Sequence, residues 1–144
     1  MNRITVETAR LAITFYDDFY FAKRFAAKHA DILAIIEIES GFDADAYRDE
    51  PRLHDASYGL MQLLYSTAKD RGFTGPTKGL FHPDINIRYG MAQIEWISDY
   101  LLHHNITSWE KVIVAYNEGV GNVVRNVPDP EYLARWKEAR KRYS

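Results

Sequence analysis

Apolar residues recur at three- and four-residue steps over most of the chain, the spacing of helices with one buried face. Thr5 is placed to cap a first helix carrying Leu11, Phe15, Phe19, Ala22 and Phe25 or Ala26. Asp31 is placed to cap a second, from Ile32 to about Ser40, with Gly41 as its stop. Residues 42–57 are rich in Asp and charge, contain Pro51 and read as a loop. Leu60 to Lys69 reads as a short helix, followed by a second loop from Gly72 to Gly79 with a Gly75-Pro76 turn. Pro83 precedes a long helix, about Ile85 to His103, with Ile87, Met91, Ile94 and Ile97 or Ser98 on one side. Trp109 to Asn117 reads as another helix, broken by Gly119 and Gly121. Pro128 and Pro130 introduce a final amphipathic helix, about Glu131–Tyr143. No convincing alternating strand and no repeat is visible. The pattern predicts one all-α domain, residues 1–144, with two substantial loops.

Length and composition narrow the classes. At 144 residues there is room for one core, and 47% hydrophobic against 26% charged residues predicts a folded chain. The formal net charge of −2 argues against bulk binding to nucleic acid. The absence of cysteine removes disulfides, zinc–thiolate sites and thiol nucleophiles together. Apolar runs are far shorter than the ~18–20 residues that a membrane span needs. Leu11–Tyr16 runs into Asp17 and Asp18, so no signal-peptide core forms. His103 and His104 are adjacent and point apart on a helix, and no His-x-x-x-His or carboxylate–histidine cluster appears, so no metal is expected; no cofactor is expected either. Arg135, Lys137, Arg140, Lys141 and Arg142 read as charge suited to the end of a last helix, or as attraction to anionic polymers.

The segment with the most chemistry is Asp31-Ile-Leu-Ala-Ile-Ile-Glu-Ile-Glu-Ser40. With ~100° per residue, Glu39 falls in the middle of the stripe formed by Ile32, Ile35 and Ile36, and Glu37 falls roughly 200° from Glu39. The two acids therefore cannot share a pocket. A desolvated carboxyl has a raised pKa, which suits a general acid. The same placement also fits a Glu paired with a buried Arg or Lys, or one reaching past the helix end into water.

Company decides between these. Ser40 follows Glu39 directly. Then come Gly59-Leu-Met-Gln62, Thr67-Ala68, Pro83, Asn86 and Gly90, and finally Ala115-Tyr-Asn117 before Gly119 and Gly121. From about residue 30 to 133, this ordered set resembles the soluble lytic transglycosylase family of the lysozyme superfamily. The resemblance implies a lysozyme-like fold around a glycan cleft and cleavage of peptidoglycan between N-acetylmuramic acid and N-acetylglucosamine without water. One carboxyl acts first as acid and then as base. It carries the catalytic role to Glu39 and substrate contacts to Gln62, Tyr116 and Asn117, with the Tyr hydroxyl beside the catalytic Glu. Ser40 reads as a cap or buttress of the helix end, and Met61 as core. Ser57 stands where the family usually has Ala, and is assigned a substrate contact. Leu64 replaces a frequent Met as an apolar contact in the cleft. The Arg48-Asp-Glu-Pro51 loop departs from the common pattern. If one of Asp43, Asp45, Asp49, Glu50 and Asp55 faces Glu39, it could orient a water, and the enzyme would be a goose-type hydrolytic muramidase. An inactive glycan-binding module is the third reading. The expected partner is the peptidoglycan strand, met outside the cytoplasmic membrane by a monomer. Without a signal, the chain reads as phage-delivered or as an excised domain of an exported protein.

Overall fold

A computed structural model describes residues 1–20 and 29–144, with the side chains of 17–20 left aside. The expected contributions of Ala22, Phe25 and Ala26 lie outside the described residues, and that of Phe19 falls among the side chains left aside. The helices are α1 (Val6–Tyr20), α2 (His29–Ser40), α3 (Tyr65–Asp70), α4 (Pro83–His103), α5 (Trp109–Glu118), α6 (Val120–Val124) and α7 (Pro130–Lys141). A small antiparallel sheet, β1 (Tyr47–Glu50), β2 (Asp55–Tyr58) and β3 (Leu63–Leu64), stands in order β1-β2-β3. The architecture is mainly α, as the periodicity predicts.

Helix α4 forms the central post. Ile87, Met91, Ile94, Ile97 and Ser98 are all buried, one stripe at helical spacing. Helix α2 is different. Every residue from Ala30 to Ile36 is buried, so its first two turns pass through the core with no solvent face. Helix α7 closes over α2 with Tyr132, Trp136 and Ala139 inward. Thr5 caps α1, its Oγ1 accepting from Thr8 N at 3.1 Å.

Several expectations need correction. Leu11 and Phe15 do not face the core; they are 73% and 67% exposed. The face that packs is Ala9, Ala12 and Ile13, and the two alanines let α1 lie close to its neighbours. Asp31 is not a cap, because the chain is already helical at His29 and Ala30. Its carboxylate is buried against the Arg140 guanidinium of α7, and Trp136 Nε1 donates to its backbone carbonyl at 3.1 Å. The stretch read as loop contains β1 and most of β2. These strands are four residues long and exposed on one edge, too short for alternation to stand out. The helix expected from Leu60 begins only at Tyr65, because 59–62 is a turn and Leu63–Leu64 joins the sheet. The second loop holds a 3-10 turn, Thr77–Phe81, and the chain resumes as α6 beyond the break at Gly119.

The C-terminal basic cluster is engaged within the chain. Arg140 and Arg142 meet Asp31 and Glu37, Lys137 meets Glu110, Lys141 meets Glu138, and Arg135 donates to Ile38 O. Glu37 faces Arg142 and Tyr143, away from Glu39, as the helical arithmetic predicts.

The turn at 58–62 is buried, and its backbone is fastened by side chains from three helices. Asn86 Nδ2 donates to Tyr58 O at 2.7 Å and to Leu80 O at 2.8 Å, while its Oδ1 accepts from Met61 N at 2.8 Å. Ser40 Oγ lies 2.7 Å from Leu60 O, and Tyr116 donates to Met61 O at 2.7 Å. Gly59 has φ +72°, and a Cβ there would lie 2.5 Å from Asn86 Nδ2. Asn86→Ala would strand two carbonyls and one N–H in a fully buried site. It is expected to cost about 3 kcal/mol or more, read as a lower urea midpoint at unchanged m-value.

Candidate active site

Antiparallel register builds the cleft wall. Arg48 pairs with Ser57, and Ser57 pairs with Leu64. Residues directly opposite share a face of the sheet, so these three form one row. Strand alternation brings Glu50 to the same face as Arg48 and sends Tyr47 and Asp49 to the other. The row faces the last turn of α2. Between them lies a cleft of ≈ 200 Å³ lined by Glu39, Arg48, Glu50, Leu53, Ser57, Gln62, Leu63, Leu64, Thr67, Gln93, Tyr116 and Asn117.

Glu39 ends the apolar run of α2. The helix emerges from the core within its final turn, so the carboxyl is partly buried. Burial pushes its pKa up to about 7. The negative end of the α2 dipole acts in the same direction. Tyr132 opposes the shift by donating to Oε2 at 2.9 Å, as do the charges of Arg135 and Arg48; Glu50 adds to it.

Six residues assigned to the site from the sequence therefore line one cleft, Glu39, Ser57, Gln62, Leu64, Tyr116 and Asn117, and so does Glu50, one of the five acids weighed as a partner for Glu39. Ser40 stands behind the cleft, its Oγ donor shared between Ile36 O at 3.1 Å and Leu60 O. Gln62 is not on a helix. It ends the 59–62 turn with φ +48°, and its Nε2 donates to Gly59 O at 3.0 Å. A left-handed conformation costs a non-glycine residue about 1 kcal/mol, and here it turns the amide into the cleft. Asn117 is exposed at the end of α5 and donates to Asp129 Oδ2 at 2.7 Å.

Tyr116 stands close enough to feel the charge of Glu39 but is not its hydrogen-bond donor. The hydroxyl on Glu39 is that of Tyr132, not Tyr116. Tyr116 lines the cleft, but its proton goes to Met61 O. Its own pKa is raised well above the ordinary phenol value, first by burial and then by the charge of Glu39. Sequence reading missed Tyr132, because it lies 93 residues from Glu39 and nothing local marks it. It also missed Arg48, Leu53, Thr67 and Gln93 as cleft residues. For Arg48 and Glu50 a signal existed, two-residue spacing on one strand face, but it required the strand to be recognised.

The Transglycosylase SLT domain family matches residues 19–138. The chain belongs to this family. Among relatives of the SLT domain chain is the membrane-bound lytic murein transglycosylase C of Photorhabdus laumondii, 39% identical over 104 residues, covering 65% of this chain and 28% of that protein. The protein of the same name from Edwardsiella ictaluri is 33% identical over 114 residues, covering 72% of this chain and 30% of that one. The SLT domain chain thus spans under a third of the length of these curated relatives. Its fold is similar to the lytic transglycosylase Slt of Pseudomonas aeruginosa, solved as an inactive mutant. The TM-score is 0.65 at 24% identity, over 92% of this chain and 21% of that one.

Two titrations check the site. The folded state holds the Glu39 proton more tightly than the unfolded chain does, so between about pH 4.5 and 7 it binds more protons, and stability falls as pH rises through that window. Glu39→Gln lacks this fall. Its stability relative to wild type is expected to improve by about 1–3 kcal/mol between pH 4 and pH 8, measured by denaturant unfolding at both. In Tyr132→Phe the donor that lowers the Glu39 pKa is gone. Carboxyl NMR should then show Glu39 titrating at higher pH than in wild type.

Proposed function

We propose that the chain is a peptidoglycan lytic transglycosylase, cleaving the β-1,4 bond between N-acetylmuramic acid and N-acetylglucosamine to leave a 1,6-anhydromuramic end. The observation that carries this reading is the half-buried carboxyl of Glu39, lining the SLT-domain cleft and poised near neutrality. Near pH 7 it is present in both the protonated and ionised forms, and the reaction uses each in turn.

In the first step the protonated Glu39 gives its proton to the glycosidic oxygen. The C1–O4 bond breaks, and the leaving sugar departs with a 4-hydroxyl. The muramic 2-acetamido oxygen closes on C1 and takes up the positive charge. In the second step ionised Glu39 removes the C6 hydroxyl proton. O6 attacks C1, the acetamido group is released, and Glu39 is protonated again. The hydrogen bond from Tyr132 steadies the ionised form between the steps. Gln62, Ser57, Asn117 and Leu64 are read as substrate contacts, with Tyr116 holding the turn that presents Gln62. Residues 1–144 are read as a single catalytic domain, acting as a monomer on the wall outside the cytoplasmic membrane. No helix among the described residues is long and apolar enough to cross a membrane.

Digestion of purified peptidoglycan followed by mass spectrometry tests the reading. Wild type is expected to release muropeptides one water lighter than hydrolytic products, and Glu39→Gln to lose at least ~100-fold in rate while still binding strands. Reducing muramic ends from wild type would replace the lyase with a hydrolytic muramidase. Binding without any product would replace both with a glycan-binding module.

A further inference from the structure

The acidic residues of the 42–57 stretch part company in the structure. Asp43 closes a turn, accepting from Asn2 N at 2.8 Å and Asp45 N at 3.0 Å. Asp55 pins the start of α3, accepting from Ala56 N at 2.7 Å and Ser66 N at 3.0 Å. Of the five acids, Glu50 is the one that lines the cleft with Glu39. Its side chain is 27% exposed, through the cleft opening.

Both contacts of Glu50 fall on one oxygen. Ser57 Oγ donates to Oε1 at 3.4 Å, and Arg48 Nε lies 3.4 Å from the same atom. Oε2 has no hydrogen bond from the described residues. Ser57 is 7% exposed and sits in the register row, so Oε1 is the oxygen with protein partners, and Oε2 of this cleft-lining residue is left to accept from a ligand. The lytic reaction needs such an acceptor. When the acetamido oxygen closes on C1, positive charge spreads onto the acetamido nitrogen, and its N–H becomes a stronger donor. The neutral acceptors of the cleft are the amides of Gln62, Gln93 and Asn117 and the hydroxyls of Ser57, Thr67 and Tyr116. Glu50 is the carboxylate besides Glu39.

Resting on the lytic reading above, we propose that Glu50 is a second carboxylate of the reaction: its Oε2 accepts the N–H of the muramic 2-acetamido group, turns the acetamido oxygen toward C1 and opposes the charge that forms there. Arg48 and Ser57 position it by holding Oε1. Glu50 itself gains and loses no proton and forms no bond to carbon. The same charge acts on Glu39 through space. The groups that face Glu39 are Tyr132 and Arg135 of α7, Arg48 and Glu50 of β1, and Tyr116 of α5. Of these charges, Glu50 is the one that favours the protonated acid.

Glu50→Gln and Glu50→Asp, compared with wild type on soluble uncross-linked peptidoglycan strands, test the assignment. Unfolding midpoints establish that both variants are folded. Glu50→Gln is expected to lower kcat about 10- to 100-fold with KM within about threefold, because the contact strengthens in the transition state. Its products keep anhydro ends. The alkaline limb of its kcat profile moves to lower pH, since a charge that favours protonated Glu39 is gone. Glu50→Asp keeps the charge, so its limb stays near that of wild type while kcat recovers in part. A kcat for Glu50→Gln within about twofold of wild type, or a loss confined to KM, would overturn the assignment and leave the lytic reading standing. Wild-type products with reducing ends, abolished in Glu50→Gln, would make Glu50 the base for a water and overturn both.

Discussion

The structure depends on satisfying the backbone of one buried, irregular turn. Residues 58–62 run through the core without the repeating hydrogen bonds of a helix or a long strand. Every buried N–H and C=O there must find a partner elsewhere. Asn86 from α4, Ser40 from α2 and Tyr116 from α5 satisfy Tyr58 O, Met61 N, Leu60 O and Met61 O, Ala46 O takes the Gly59 N–H, and Gly59 removes the Cβ that would collide with Asn86. Three helices and the sheet are thereby referenced to one short peptide. The cleft side chains are held to that reference: Gln62 ends the turn, Tyr116 grips it, and Glu39 precedes the serine that touches it. Residues that look like a string of separate motifs are one mechanical assembly.

Around this frame the electrostatics of Glu39 follow from how α2 is buried. In the enclosed part of the helix an acid needs a buried cation, as Asp31 has in Arg140, whereas Glu39 stands at the last turn, where the core ends. There it is desolvated enough to hold a proton near pH 7 and open enough to meet a ligand. Tyr132 and two arginines limit the shift, keeping the ionised form within reach. An acid left without these opposing contacts would stay protonated, and one left in water would stay ionised. The balance suits a group that must be both within one turnover.

The sheet contributes a surface that helices could not. A row of three residues across three strands places Arg48, Ser57 and Leu64 side by side, although 16 residues of chain separate the first from the last. Helical spacing repeats neighbours three or four residues apart; a sheet brings together side chains from distant sequence in fixed register. Glu39 is braced from outside the cleft lining. Helix α7 is tied to α2 by the buried Asp31–Arg140 pair and by Trp136, so Tyr132 is carried to Glu39 as part of a locked helix pair.

What could be read from the chain was what depends on local order. The 3.6-residue period marked α4 and α7, and the angle between Glu37 and Glu39 separated the acid of the cleft from the acid of the surface. Motif order gathered Glu39, Ser57, Gln62, Leu64, Tyr116 and Asn117 into one cleft. Local order failed wherever a partner decides the outcome. The exposed Leu11 and Phe15 are as apolar as any core residue, yet α1 packs by its alanines because close approach to its neighbours favours small side chains. The strands are too short to show alternation, so the shared face of Arg48 and Glu50 stayed hidden. Tyr132 meets Glu39 across 93 residues, a contact made by the docking of α7 on α2 and by no feature of either segment alone. Periodicity encodes which face a helix buries; only the packed fold sets which side chain from elsewhere completes that face.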